Sequence, residues 1–150
     1  MVPFVIRDFK PEDFETLWRM DQECFPPGIS YSKQELKHYM DRRGAFTLVA
    51  SDGGPGNAAG FIVVNEGVVG HVITIDVQAS ARRSGVGSLL LQAAEDRLRG
   101  EGSCAVGLET AVDNHVALAF YKRHGYSVIK TWPRYYSNGV DALVMKKALA

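Results

Sequence analysis

The segment from Arg82 to Ser88 combines two arginines, two glycines and two serines between a β-branched run and an apolar run with helical spacing. A strand that leads through such a loop into a helix leaves backbone N–H groups free at the helix N-terminus, where they bind phosphate. Glycine lets the backbone approach a ligand closely, and arginine stays charged at physiological pH. The residues that we predict to contact a phosphate group are Arg82, Arg83, Ser84, Gly85, Val86, Gly87 and Ser88.

The spacing of these glycines excludes two common nucleotide-binding loops. A Rossmann fingerprint would need a small residue where the chain has Leu90, and a Walker loop would need Gly-Lys-Ser/Thr after four intervening residues. The remaining pattern, Arg-x-x-Gly-x-Gly from Arg82 to Gly87, resembles the acyl-coenzyme-A pyrophosphate loop of the GNAT acetyltransferase superfamily. The alternative is a glycine-rich turn with incidental arginines.

Glu109 and Tyr121 are candidates for acid–base chemistry on a thioester. Aminolysis requires a group that takes a proton from the amine and a group that protonates the leaving thiolate. A carboxylate can accept the first proton, and a phenol with a pKa of roughly 10 can donate to a thiolate with a pKa of roughly 8.5. Considered singly, Glu109 would more often be a salt-bridged carboxylate and Tyr121 a half-buried helix residue.

Composition limits the other classes of function. The chain has 150 residues, and its 17 Lys and Arg balance its 17 Asp and Glu, so we expect one domain over residues 1–150 and no nucleic-acid partner. Two cysteines and no zinc-type spacing predict neither a disulfide framework nor a metal site. The apolar run at the N-terminus is short and ends in charged residues, which predicts no signal peptide or membrane partner and a soluble cytoplasmic protein.

The elements that must position these residues alternate between strands and helices. The predicted strands are Phe4 to Phe9, Ala45 to Ala50, Ala59 to Asn65, Val68 to Val77, Ala105 to Ala111, Tyr126 to Trp132 and Ala142 to Lys146. Helices are predicted after Pro11, from the Ser32 capping box, from Val86 to Gly100, and after a cap at Asp113 or Asn114. The strands that flank the third helix should be parallel, and Asn138-Gly139 predicts a tight hairpin.

Motifs in the second half of the chain resemble those of RimI-type protein N-terminal acetyltransferases. They are Gly107 to Thr110, Asn114 to Tyr121 and His124 to Tyr126. The resemblance implies a GNAT fold of the α/β (α+β) class. Its central sheet would be mixed and mostly antiparallel, with about seven strands, a splayed parallel pair at the cofactor site and four helices.

The same resemblance implies roles for individual residues, with acetyl-CoA as the cosubstrate. Glu109 would be the general base and Tyr121 the general acid. Asn114 and the backbone of Ile75, Asp76 and Val77 would contact the pantetheine arm, as an added strand would. Asp76 replaces a residue that is frequently small in the family, which brings a carboxylate near the acyl group without an assigned role.

Aromatic residues in two loops favour an α-amine acceptor. Phe25, Pro26 and Tyr31 resemble the family's substrate loop, and Tyr135 and Tyr136 resemble its peptide-binding hairpin. Strand alternation would send the last two side chains to opposite faces, so that one could cover the acceptor. We expect a protein or peptide N-terminus as the acceptor, with ribosomal proteins among the implied partners, and a monomer or weak homodimer.

Two other functions compete with this hypothesis. A small-amine acetyltransferase of the same superfamily would favour acidic substrate loops, which this chain lacks apart from Asp141. A non-catalytic acyl-coenzyme-A-binding module would not need Glu109 and Tyr121 together. The four histidines, His38, His71, His115 and His124, are interpreted as surface or cap residues because none pairs with a nucleophile or a ligand set.

Overall fold

The computed structural model describes residues 4–53 and 57–150, so Met1 to Pro3 lie outside it. The described residues form seven strands and four α-helices. The strands are β1 Val5–Asp8, β2 Ala45–Ser51, β3 Ala58–Asn65, β4 Val69–Val77, β5 Ala105–Ala111, β6 Ser127–Trp132 and β7 Ala142–Ala148. The helices are α1 Phe14–Cys24, α2 Lys33–Asp41, α3 Val86–Gly100 and α4 His115–Arg123. This is the order of elements that the sequence predicts.

The strands form one sheet in the order β1-β2-β3-β4-β5-β7-β6, in which only β4 and β5 are parallel. These two strands pair at just three positions, from Val69 opposite Ala105 to His71 opposite Gly107. Beyond His71 they diverge, while β4 stays paired with β3 and β5 with β7. The predicted mixed sheet with a splayed parallel pair is therefore confirmed, and one backbone edge of β4 stays open along the gap.

Helices cover both faces of the sheet, which explains why β3 is buried along almost its whole length. On one face α1 and α2 pack through Leu17, Met20 and Leu36 against Phe61 and Val63 of β3. On the other face α3 packs against the alternate side chains of the same strand, such as Ile62 and Val64. The α3 and α4 residues in that second cluster include Leu90, Leu91, Ala94, Leu98 and Tyr121.

A β-bulge in β4 changes the face of the sheet toward which the side chains after it point. Val64 of β3 pairs with Val72 and Val63 pairs with Thr74, so Ile73 has no partner in the register. Before the bulge Val72 packs on the α3 side, and after it Ile75 and Val77 pack on that side too. Asp76 therefore projects to the α1 side.

The connection between β6 and β7 differs from the sequence prediction. It runs from Pro133 to Asp141 and is not a two-residue turn, although a tighter turn lies inside it, where Gly139 N–H donates to the Tyr136 carbonyl at 2.9 Å. Gly139 has a φ of 85°, which explains the glycine after Asn138. The Asn-Gly signal thus locates a turn but not the ends of the flanking strands.

Candidate active site

Glu109 forms a pair with His71 where β4 and β5 begin to separate. Leu108 and Val106 face α3, so alternation places Glu109 on the α1 side of β5. The Nε2 atom of His71 lies 2.9 Å from both carboxylate oxygens of Glu109. A carboxylate only accepts hydrogen bonds, so Nε2 carries the hydrogen.

His71 is partly exposed, in agreement with its prediction as a surface residue, but its contact with Glu109 was not predicted. Its side chain is 41% exposed, but it contacts a Glu109 side chain that is only 13% exposed. The signal was present in the predicted parallel pairing, since His71 lies opposite Gly107, two residues before Glu109 on the same face. His124 does cap α4, and its Nε2 lies 2.9 Å from the Ser88 hydroxyl.

Tyr135 is partly exposed to solvent and contacts Glu109. Its hydroxyl donates to Glu109 Oε1 at 3.3 Å, and its ring stacks on Trp132 with centroids 5.3 Å apart. Partial burial and the nearby Glu109 carboxylate raise the pKa of Tyr135 to about 12, so it remains a hydrogen-bond donor at neutral pH. The expected alternation of Tyr135 and Tyr136 is wrong because both lie in a loop, where their rings pack edge to face at 5.0 Å.

The loop between α1 and α2 carries Phe25, Pro26 and Tyr31, of which Tyr31 is held most firmly. Its N–H donates to Asp21 Oδ2 at 2.7 Å, and its hydroxyl donates to the carbonyl of the bulged Ile73 at 3.4 Å. Burial raises its pKa, and neighbouring tyrosines raise it further. Phe25 is half-buried and ends α1 by donating its N–H to the Asp21 carbonyl, while Pro26 is exposed.

The two aromatic loops contact each other directly. The Ser137 hydroxyl donates to the Gly28 carbonyl at 3.0 Å. Gly28 has a φ of 90°, and a Cβ there would lie 2.7 Å from Asn138 Cβ and 2.9 Å from its backbone nitrogen. These loops therefore meet over the α1 side of the gap between β4 and β5.

Tyr121 lies on the opposite face of the sheet from Glu109. Asn114 begins its helix by accepting the Ala117 N–H at 3.2 Å, which selects Asn114 over Asp113 as the cap. Tyr121 is 7% exposed, and its hydroxyl forms no hydrogen bond within the described part of the chain. Burial, then Asp76 and Tyr136, raise the pKa of Tyr121, so it stays protonated.

The predicted phosphate loop leaves backbone N–H groups without a partner among the described residues at the start of α3. Arg83 and Gly85 adopt left-handed φ values of 65° and 86° before α3 begins at Val86. The first hydrogen bond of the helix runs from Leu89 N–H to the Gly85 carbonyl. The N–H groups of residues 86–88 therefore have no hydrogen-bond partner within residues 4–53 and 57–150. Arg82 donates to the Val77 carbonyl at 3.3 Å, whereas Arg83 is exposed.

Gly87 has a packing role that the sequence did not predict. A Cβ at this position would lie 3.3 Å from the Phe120 ring and 3.6 Å from Val77 Cγ2. The absence of a side chain therefore allows α3, α4 and β4 to approach one another. Ile75 and Val77 border the same region and are half-buried, while Asp76 points away from it.

None of the helices that the structure describes is long and apolar enough to span a bilayer. The described residues also contain no cluster of three or more His, Cys, Asp or Glu side chains with the geometry to hold a metal ion.

The chain was compared with known proteins. Residues 14–126 match the profile described as the Acetyltransferase (GNAT) family. N-alpha-acetyltransferase 30 of Schizosaccharomyces pombe is 30% identical over 118 residues, which cover 75% of this chain and 77% of that protein. The structure of Ard1 from Thermoplasma volcanium aligns with a TM-score of 0.89 at 27% identity and covers 98% of each chain. The Escherichia coli ribosomal-protein-S18-alanine N-acetyltransferase shares the fold, with a TM-score of 0.84 at 21% identity over 99% of this chain and 95% of its own.

Proposed function

Because this chain belongs to the GNAT family of acetyltransferases, we propose that it transfers the acetyl group of acetyl-coenzyme A to the N-terminal α-amine of a protein or peptide. The observation that supports this most is the His71–Glu109 pair, which lies under two aromatic loops at the point where β4 and β5 separate. The relative from Schizosaccharomyces pombe, named as an N-alpha-acetyltransferase, supports the same acceptor.

The residues around the gap fit acetyl-coenzyme A as the donor. The edge of β4 from Ile75 to Val77 can hydrogen-bond the pantetheine amides, except at the Val77 carbonyl, which accepts from Arg82 and Cys24. The free N–H groups at the start of α3 can bind the pyrophosphate. Arg83 and Ser84 are exposed beside those groups, and the Asn114 side-chain nitrogen remains available to the pantetheine arm. The donor supplies the activated acetyl thioester.

Glu109 and His71 supply the base. The incoming ammonium must lose a proton before its nitrogen can attack, and Glu109 takes up that proton as the general base. His71 holds the carboxylate in place through Nε2. Tyr135 donates to the same carboxylate and fixes its orientation.

Tyr121 supplies the acid on the other face. Burial raises its pKa, so the hydroxyl stays protonated and can donate a hydrogen bond to the sulfur as the carbon–sulfur bond breaks, which stabilises the leaving thiolate. Cys24, which ends α1, does not compete as a nucleophile, because burial raises the pKa of its thiol to about 11. Direct attack of the amine on the thioester is the proposed route.

The two aromatic loops favour an α-amine over a small polyamine as the acceptor. The covering side chains are Phe25, Tyr31, Tyr135 and Tyr136, which are uncharged, and the contact between Ser137 and Gly28 narrows the opening above them. A polycation would be bound more tightly by several carboxylates, and Glu109 is engaged by His71. We expect this cover to admit an extended chain end and to exclude the middle of a chain.

An acceptor panel tests the proposal. Peptides with free N-termini, including ribosomal-protein N-termini, are compared with the same peptides blocked at the α-amine but carrying an internal lysine, and with spermidine. The product is located by mass spectrometry, and thiol release gives the rate. We expect acetylation of the free N-termini only. Turnover of spermidine alone would support the small-amine alternative, and donor binding without any turnover would support a non-catalytic module.

A further inference from the structure

The loop between α1 and α2, residues 25–31, is fixed at both ends by Asp21 of α1. The Phe25 N–H donates to the Asp21 carbonyl at 3.2 Å, and the Tyr31 N–H donates to Asp21 Oδ2 at 2.7 Å. The Asp21 residue is fully buried, with an exposed fraction of 0%. One residue thus closes the loop, because its backbone holds the first loop residue and its carboxyl group holds the last.

Two further side chains of α1 hold the other side of the Tyr31 backbone. Trp18 Nε1 donates to the Tyr31 carbonyl at 3.1 Å, and Gln22 Nε2 donates to the same oxygen at 2.6 Å. Asp21 and Gln22 follow Trp18 by three and four residues, which places all three on one side of the helix. Both the N–H and the carbonyl of Tyr31 are therefore bonded to α1.

The interior of the loop is also fixed by contacts within the protein. The Ile29 and Ser30 N–H groups both donate to the Pro26 carbonyl at 3.1 Å. Pro26 and Pro27 each have a restricted φ, so they lose less conformational freedom when the loop becomes ordered. The loop therefore does not depend on contacts with an acceptor to hold its shape.

The Tyr31 side chain extends from these attachments to the gap between β4 and β5. Its ring packs against Tyr39 of α2 with centroids 5.2 Å apart, and its hydroxyl donates to the carbonyl of the bulged Ile73 at 3.4 Å. Ile73 lies two residues after His71, which contacts Glu109. A shift of the Tyr31 backbone would therefore move an aromatic ring relative to the proposed base.

We propose that Asp21 is a positioning residue for the acceptor, and that it acts with Trp18 and Gln22 by holding Tyr31 at the acceptor side of Glu109. This role rests on the proposed function, because it concerns the amine that Glu109 would deprotonate. The hydrogen bonds that support it lie within the protein, so they can be measured without any substrate.

Loss of these hydrogen bonds should affect the acceptor more than the donor. Tyr31 and its α1 partners lie on one face of the sheet, whereas the predicted phosphate loop leads into α3, which packs on the other face. The contact between His71 and Glu109 joins two strands and does not involve α1. A loosened Tyr31 would therefore leave the base and the donor site in place while the acceptor loses an ordered wall.

Two substitutions at Asp21 separate the hydrogen bond from the shape of the side chain. In Asp21→Asn the amide oxygen can still accept the Tyr31 N–H, and the amide nitrogen replaces Oδ1, which accepts no hydrogen bond among the described residues. Asp21→Leu keeps the branching but removes the acceptor. We expect Asp21→Leu to raise the KM for a peptide about tenfold or more, with kcat and the KM for acetyl-coenzyme A within about threefold of the parent. Asp21→Asn should restore the parental KM.

A substitution at Gln22 tests the same role without disturbing the core, because Gln22 is exposed. Gln22→Ala removes the 2.6 Å hydrogen bond to the Tyr31 carbonyl but leaves that of Trp18, so the KM for the peptide should rise by a smaller factor, about two- to fivefold. Glu23→Ala is the matched control, since this neighbouring residue of α1 is also exposed. Its KM should equal that of the parent.

Amide hydrogen exchange, followed by NMR, tests the attachment of Tyr31 without a substrate. The Tyr31 N–H should exchange slowly in the parent and in Asp21→Asn, and about tenfold or more faster in Asp21→Leu. The N–H groups of β3, which is buried along almost its whole length, should exchange at the parental rate in all three proteins. That pattern would show local opening of the loop in an intact fold.

The outcomes distinguish the positioning role from the proposed function. Equal Tyr31 exchange rates in the parent and Asp21→Leu, or a folded Asp21→Leu with the parental KM for the peptide, would overturn the role of Asp21. If Asp21→Leu does not fold, Gln22→Ala decides, and a parental KM in that variant rejects the role. If the loop opens in Asp21→Leu but the parent acetylates no peptide, the closure of the loop stands and its role for an acceptor fails with the proposed function.

Discussion

His71 Nε2 lies 2.9 Å from both oxygens of Glu109, although the two residues are on neighbouring parallel strands that separate just beyond this point. The last paired position in the ladder, His71 opposite Gly107, brings them together. The pair therefore lies where the gap begins, which places the proposed base where the acceptor and the donor would meet.

Replacing either member of this pair should lower turnover. Glu109→Gln is expected to reduce kcat by about 10² to 10⁴, the usual range for a positioned acid or base, and His71→Ala by a smaller factor. The double variant should be no slower than Glu109→Gln alone, because the two residues act as a unit. His38→Ala, an exposed histidine of α2, is the control. Equal rates for the parent and Glu109→Gln would remove Glu109 as the base.

Two tyrosine variants should affect different properties, Tyr121→Phe the turnover and Tyr126→Phe the stability. Tyr121→Phe removes the proposed proton donor and should lower kcat by about 10², with stability nearly unchanged because its hydroxyl has no partner in the described chain. Tyr126→Phe removes a hydrogen bond of 2.7 Å to the buried Glu95 and should cost about 1–3 kcal/mol of stability while leaving kcat intact. Urea unfolding and steady-state kinetics distinguish them. Full activity in Tyr121→Phe would mean that another group protonates the thiolate.

Charge reversal at the phosphate loop should weaken donor binding. Arg83→Glu should raise the KM for acetyl-coenzyme A and leave folding intact, because Arg83 is exposed. Arg82→Glu should do the same and also loosen the end of β4, since Arg82 donates to the Val77 carbonyl. Calorimetry with coenzyme A gives the affinity directly. Unchanged affinity in both variants would exclude this loop as the pyrophosphate site.

Enlarging Gly87 should be more harmful than either charge reversal. The Cβ of alanine would lie 3.3 Å from Phe120, so Gly87→Ala requires a small shift of that ring, and the branched side chain of Gly87→Val requires α4 to move. We expect a loss of stability of about 1–3 kcal/mol for valine together with weaker coenzyme A binding. A fully stable Gly87→Val variant would contradict the packing argument.

The aromatic loops should determine the acceptor. Changing Tyr135 and Tyr136 to alanine should strongly weaken peptide acetylation while coenzyme A binding, measured by calorimetry, stays nearly the same. Gly28→Val, in the other loop, should also weaken peptide acetylation, because its Cβ would lie 2.9 Å from the Asn138 backbone nitrogen and disturb the contact between the loops. A double tyrosine variant that acetylates N-terminal peptides at the parental rate would refute an α-amine acceptor.

The sequence predicted most of the fold because each local signal agreed with its surroundings. The capping box at Ser32, the stripe on α3 and the crossover into β5 are short-range patterns that the structure retains. The bulge at Ile73 could not be predicted, because a continuous β-branched run from Val72 to Ile75 gives no sign of the residue that loses its partner. Without the bulge, Asp76 would be assigned to the wrong face.

The candidate site was predicted in its residue types and only partly in its contacts. Glu109, Tyr121 and the loop at Arg82 have chemistry that is evident from type and spacing. The contact between His71 and Glu109 depends on the exact register of β4 against β5. The sequence predicted that these strands are parallel but not which residues pair, so the contact was missed.

Glu109 and Tyr121 lie on opposite faces of the sheet at the gap between β4 and β5. We expect the acceptor and the donor to approach from these two faces, so that neither has to vacate a shared entrance. Kinetically, both substrates should occupy the protein at once, so double-reciprocal plots at several fixed peptide concentrations should intersect. Product inhibition by coenzyme A should then compete with the donor and not with the peptide.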